Sequence, residues 1–127
     1  MPLPVEAIPV AFILTRDRAA SLPFYRDVLG LALVQEGDAS ADFDARGLDL
    51  RLVTIPDHAP SPHPVLTWRV ADIETASRAL ADEGVRFSQY SGMTEGDFGI
   101  WTSDDGKTRL NWFPDPDGNV LGLAQED

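Results

Sequence analysis

Two imidazoles, His58 and His63, are the only ones this chain offers for chemistry. A first-row divalent metal needs three or four imidazole, carboxylate or thiolate donors. With no cysteine, both thiolate ligation and a cysteine nucleophile are ruled out. Both histidines lie among Pro56, Pro60, Pro62 and Pro64, a stretch too rich in proline for regular structure. Neither stands near a serine or acid in a recognisable triad. Two readings fit: a pair of surface-loop histidines, or the remnant of a metal site. The second rests on His63, which lies two residues before Val65 and so shares its strand face.

The elements that would position such groups occur twice. Val10-Ala11-Phe12-Ile13-Leu14-Thr15-Arg16-Asp17 is matched by Val65-Leu66-Thr67-Trp68-Arg69-Val70-Ala71-Asp72, and a helical pattern follows each segment. In the first half, residues 7–14 read as a strand. It is apolar on both parities, which predicts cover on both faces. Asp17 can cap the helix that follows. The apolar stripe of that helix is Ala20, Phe24 and Val28, widened by Tyr25 and Leu29. Pro23 is awkward inside a helix, so Ser21 is expected to act as a later N-cap, with the regular helix starting near Leu22. Gly30 closes it. Short strands are expected over 31–36, 40–44 and 48–55, separated by Gly37-Asp38 and Ala45-Arg46-Gly47.

The second half repeats the plan. A strand over 65–70 precedes a helix capped by Asp72, with Ile73, Ala76 and Leu80 on its stripe, Ala79 beside it and Gly84 at its end. Strands are expected over 85–90, 108–113 and 119–124, the last two joined by a turn at Asp115-Pro116-Asp117-Gly118. Residues 91–107 form a long segment carrying Phe98, Ile100 and Trp101. Aromatic residues in a loop usually cover something, so the segment is either a lid or an interaction surface. The sequence therefore shows two tandem βαβββ units, about 7–55 and 65–125, joined by a proline-rich connection over 56–64. About 55 residues is too few to make each unit confidently stable alone, so one domain over 1–127 is expected.

Composition narrows the partners. Ten basic residues against 21 acidic ones give a net charge of −11. Nucleic acid and anionic membrane surfaces would be repelled, and a cationic small molecule attracted. The bland reading of the same charge is solubility. No apolar run approaches the roughly 20 residues that span a bilayer, and the first residues lack a signal-peptide pattern. A cytoplasmic location is expected.

The internal repeat, the segment Phe24-Tyr25-Arg26-Asp27-Val28-Leu29-Gly30 and the turn Asp115-Pro116-Asp117-Gly118-Asn119 together resemble the vicinal oxygen chelate superfamily. That superfamily holds glyoxalase I, extradiol dioxygenases and bleomycin-resistance proteins. The resemblance runs from about Ile8 to Gln125. It implies an α+β glyoxalase-like fold, in which the two units form one curved mixed sheet around a cavity. It also implies metal ligands at positions that here are Val10, Val65 and Gly122, with a fourth at Asp49 or, less readily, Arg51. Valine and glycine side chains donate no lone pair, and one carboxylate cannot hold a first-row metal alone. No metal, no cofactor and no catalytic residue is therefore expected.

If the ligands are lost, the strand parity of their positions still marks an inward face. The resemblance puts Phe12, Leu14, Asp49, Arg51, Thr67, Arg69, Leu110, Trp112 and Gly122 on it, with Trp101 added from the 91–107 segment. A mostly apolar wall with a few polar groups suits a small organic ligand, and Trp112 could stack on a ring or a cation. Glycine at 122 should leave room where the metal would have sat. An ordinary filled core is the competing reading. Arg51 and Arg69 are costly to bury unpaired; Asp49 or a ligand could pair with them, or both could reach solvent. By resemblance, the function would be that of a homodimeric, metal-free binding protein of the antibiotic-sequestering, bleomycin-resistance type. The alternative is a lyase, isomerase or dioxygenase, using metal or Asp49 with an arginine as an acid–base pair. A partner or regulatory module with no small ligand is the third possibility.

Overall fold

Alternation along the strands decides where each unit keeps its core. A computed structural model describes residues 2–127. The chain divides into two compact units, one ending at His58 and the other beginning at Ala59.

In the first unit β1 (Val10–Thr15) leads into α1 (Arg18–Pro23) and a π-helical turn (Phe24–Val28). Strands β2 (Ala32–Glu36), β3 (Ser40–Asp44) and β4 (Asp49–Thr54) follow. They form a four-stranded mixed sheet in the order β1-β4-β3-β2, with β1 parallel to β4. Ile13, Ala41, Phe43, Leu50 and Leu52 are buried on one face, and Ser21, Leu22 and Tyr25 are buried on the helical segment. The Tyr25 and Phe43 rings lie 6.2 Å apart. The Thr15 and Ser21 hydroxyls, both fully buried, satisfy each other at 2.7 Å, as burial of polar groups requires.

Four expectations are corrected here. The first strand was expected to be covered on both faces, yet Val10 is 39% and Phe12 56% exposed. Apolar parity shows that a face wants cover but not whether its own unit supplies it. The helix starts at Arg18 and not near Leu22. Ser21 turns its hydroxyl inward to Thr15, and the irregularity expected at Pro23 falls after it, where the Leu29 N–H reaches back to the Phe24 carbonyl at 2.9 Å. Proline has no N–H to give the regular ladder, and a wider turn follows it. Ala20 is accordingly exposed, and Tyr25 is the buried anchor. Asp17 sits at the N-cap position, but its side chain makes no capping bond.

The second unit holds β5 (Pro64–Arg69), α2 (Ile73–Asp82), β6 (Trp101–Thr102), β7 (Thr108–Pro114) and β8 (Val120–Glu126). The sheet order is β5-β8-β7-β6, with β5 parallel to β8. Here the cap works as expected. Asp72 Oδ1 accepts from the Glu74 and Thr75 N–H groups at 3.1 and 3.2 Å, and Oδ2 accepts from the Thr75 hydroxyl at 2.9 Å. Gly84, at φ 97°, follows the helix end. The buried face of α2 is Ile73 and Ser77; Ala76 and Leu80 are only half-buried, and Ala79 is exposed. Ser77 is inside because Asn111 Nδ2 donates to its hydroxyl at 2.8 Å.

The strand expected over 85–90 does not form. Val85 and Phe87 alternate inward as a strand would place them, and Phe87 packs edge-on against Phe113 and Phe98. A single anchor to the sheet, the Ser88 N–H to the Trp112 carbonyl at 2.8 Å, takes the place of a ladder. The edge position goes instead to Trp101–Thr102, from inside the long 91–107 segment. The Asp115–Asn119 turn is held by its own side chain. Asp115 Oδ1 accepts from the Asp117 and Asn119 N–H groups, each at 2.9 Å, and Oδ2 accepts from Asn119 Nδ2 at 2.8 Å. Each unit is thus βαβββ, and the class is α+β as expected.

Candidate functional site: two open sheet faces

In each unit the helix covers one face of the sheet and leaves the other open. The residues expected to line a ligand site lie on the open faces.

On the first unit's open face, Val10, Phe12 and Leu14 of β1 run beside Asp49, Arg51 and Val53 of β4. Asp44, Asp42 and Ser40 of β3 lie beyond them. Strand pairing puts Phe12, Arg51 and Asp42 in one row. Arg51 Nε donates to Asp42 Oδ1 at 2.9 Å, and the guanidinium carbon stands 5.6 Å from the Phe12 ring centroid. Asp49 was the expected partner. It is two residues along the same strand as Arg51, exposed, and opposite Asp44. Asp42 was missed because it lies on β3, which the resemblance gave no role. Its place opposite Arg51 follows only from the hairpin register.

On the second unit's open face one row reads Thr67, Gly122, Trp112, and the next Arg69, Ala124, Leu110, Trp101. Arg69 reaches outward, with its side chain 74% exposed, to Glu126 at 3.2 Å. Trp112 and Leu110 are half-buried, and Thr67 is exposed. Gly122 is buried and does not leave room. A Cβ there would meet the Asn111 carbonyl oxygen at 2.8 Å, with Thr67 Oγ1 and Trp112 Cδ1 each at 3.4 Å. The strands have closed in on the bare backbone, and the Asn111 carbonyl occupies the space that a side chain would need.

Trp112 of this row also lines a shallow, solvent-open apolar groove of about 210 Å3, together with Pro62, Pro64, Tyr90, Met93 and Val120. The Tyr90 and Trp112 rings stand 5.8 Å apart at 80°. Of these six, only Trp112 was expected at a site. Tyr90 and Met93 carried no signal beyond an apolar character at the start of the long segment.

The metal implied by the resemblance does not fit these residues. Val10, Val65 and Gly122 bring no donor atom, and the backbone at Gly122 has no space for a longer side chain. Among the described residues no three histidine, cysteine, aspartate or glutamate side chains come together as a metal site would require. His63 precedes β5 in a turn where its backbone N–H bonds the Ser61 hydroxyl at 3.1 Å.

Comparison with known proteins agrees with this architecture. A family model described as the Glyoxalase/Bleomycin resistance protein/Dioxygenase superfamily matches residues 7–123. No curated protein matches the sequence. A glyoxalase/bleomycin resistance protein/dioxygenase from Nocardioides superposes with a TM-score of 0.71 at 22% identity, covering 98% of this chain and 85% of that one. A glyoxalase family protein from Enterococcus faecalis gives 0.73 at 19%, covering 94% and 98%. A lactoylglutathione lyase from Agrobacterium tumefaciens gives 0.71 at 18%, covering 96% and 95%. At these identities the likeness is one of fold. With the family model spanning nearly all of the sequence, the chain belongs to the glyoxalase/bleomycin resistance protein/dioxygenase superfamily.

Proposed function

We propose that this protein binds a small organic molecule without a metal, in the manner of a bleomycin-resistance protein, and that it takes a cationic or aromatic compound. The observation that carries the reading is the state of the three ligand positions. Two are valine, and the third is a glycine whose Cβ position is blocked by the Asn111 carbonyl. What replaces the donors is apolar surface held open to solvent: Val10, Phe12 and Val65, and the corner made by Tyr90 and Trp112. A net charge of −11 favours a cationic compound and disfavours nucleic acid. No helix among the described residues is long and apolar enough to cross a membrane. Action as a cytoplasmic homodimer and a role in antibiotic resistance belong to the same proposal, supported by the family alone.

Native mass spectrometry of untagged protein, purified without chelator and followed by elemental analysis, tests this. A metal-free dimer carrying or accepting a small organic molecule is expected. Near-stoichiometric zinc, nickel, iron or manganese would overturn it and favour a lyase, isomerase or dioxygenase. Isothermal titration with a panel of cationic and planar neutral aromatic compounds is the second arm, and silence across the whole panel would also sink the reading.

A further inference from the structure

We infer that the corner between Tyr90 and Trp112 is a subsite for a quaternary ammonium group. This deepens the proposed small-molecule function and rests on it. Four observations lead there.

The two rings meet nearly at right angles, 80°, with centroids 5.8 Å apart. They meet edge to face, and with Pro62, Pro64, Met93 and Val120 they line a shallow groove open to solvent. A cation set against the faces of such rings is drawn by their quadrupoles, and indole is the strongest of the aromatic faces.

None of the six lining residues is charged. A primary ammonium carries three N–H donors, and hydrocarbon and ring carbon offer them no acceptor in place of the water lost on contact. A quaternary ammonium has no N–H to leave unmet, and its methyl groups are at home against proline, valine and methionine.

The unit that holds the corner carries five basic and twelve acidic residues. Its field draws cations over a distance set by ionic strength, although no carboxylate lines the corner. A neutral ligand would gain nothing from that field.

The corner is built before any ligand arrives. The Tyr90 carbonyl accepts from the Met93 and Thr94 N–H groups at 2.9 and 3.0 Å, and the Tyr90 N–H bonds the Thr94 hydroxyl at 2.9 Å. That turn fixes Tyr90 and Met93 together. The Trp112 backbone is held by its ladder on β7, and its indole stands beside Gly122 on β8. A preformed site loses little order on binding.

The test titrates the intact protein with choline, with its uncharged carbon isostere 3,3-dimethylbutan-1-ol and with ethanolamine, at low and high salt. Choline should bind on the order of tenfold more tightly than the isostere, the upper part of the cation–π range. Ethanolamine should bind more weakly than choline. Trp112→Leu should abolish the preference for choline. Tyr90→Leu, at a residue 43% exposed and therefore safe for folding, should reduce it severalfold. If the isostere binds as well as choline, or if Tyr90→Leu leaves the preference intact, the subsite is overturned. If all three fail while a planar neutral aromatic binds, the subsite falls and the broader binding function stands. Silence from those three and from the whole panel removes both.

Discussion

Phe12 and Arg51 are register partners on the parallel strands β1 and β4, and the guanidinium of Arg51 lies 5.6 Å from the centroid of the Phe12 ring. Asp42 holds the same guanidinium from the other side at 2.9 Å. The row crosses three strands on a face with no cover from its own unit. An exposed cation–π contact is worth about 0.5–1 kcal/mol, and an ion pair near the surface, here half-buried at Asp42, about 0–1 kcal/mol. The row therefore fixes a direction for Arg51 more than it stabilises the fold.

Phe12→Ala should accordingly change the unfolding free energy by less than about 1 kcal/mol, since more than half of the side chain is already in water. Phe43→Ala, on the covered face and 1% exposed, should cost about 3–5 kcal/mol. Urea unfolding followed by circular dichroism measures both. Equal losses would mean that the face bearing Phe12 is covered in solution by something outside its own unit.

Gly122→Ala should destabilise the protein by about 1–3 kcal/mol, because the new methyl group must push against the Asn111 carbonyl across the ladder. For the same reason Gly122→Glu, combined with Val65→His on the same sheet, should not create a zinc site. Equilibrium dialysis against zinc checks the second statement. Tight stoichiometric uptake would show that β7 and β8 separate readily at this point.

Asn111 Nδ2 gives its protons to the Ser77 hydroxyl at 2.8 Å and the Phe98 carbonyl at 3.2 Å. It therefore ties α2 and the 91–107 segment to β7. Ser77→Ala should cost about 1–3 kcal/mol, the penalty for weakening a fully buried polar contact. Asn111→Ala should also raise amide hydrogen exchange around Phe98, which Ser77→Ala should not.

Asp72 has its carboxyl held below the ordinary value of 3.8, first by the Thr75 backbone N–H and next by the Thr75 hydroxyl. A lowered pKa in the folded state contributes stability above the unfolded value and loses it as pH falls through the folded one. Asp72→Asn keeps an acceptor at the cap but cannot titrate. The gap in melting temperature between the two proteins should be constant from about pH 7 to pH 5. It should shrink once the pH drops below the ordinary carboxyl value near 3.8. A gap that does not narrow at all as the pH falls below that value would show that charge is not the origin of the cap's advantage.

Local signals in the sequence carried well at most single-residue turns and caps, though not at Asp17 or Ser21. Asp72, Gly30, Gly84 and the Asp115–Asn119 turn act as their chemistry requires. Signals failed where two elements had to meet. Asp42 became the partner of Arg51 only through the register of β3 on β4. Phe87 had the alternation of a strand, yet the edge was taken by Trp101 and Thr102. Tyr90 gave no hint of a site until the turn after it brought its ring to Trp112.

The amino-acid order by itself determined the duplication, the α+β class and the absence of donor side chains at Val10, Val65 and Gly122. These depend on residue type and period, which are local quantities. Only the tertiary structure decided that Gly122 is closed and not vacant, that Arg51 is held between Phe12 and Asp42, and that two aromatic rings form a corner. Each of these depends on how near two backbones approach, a distance that no single segment encodes.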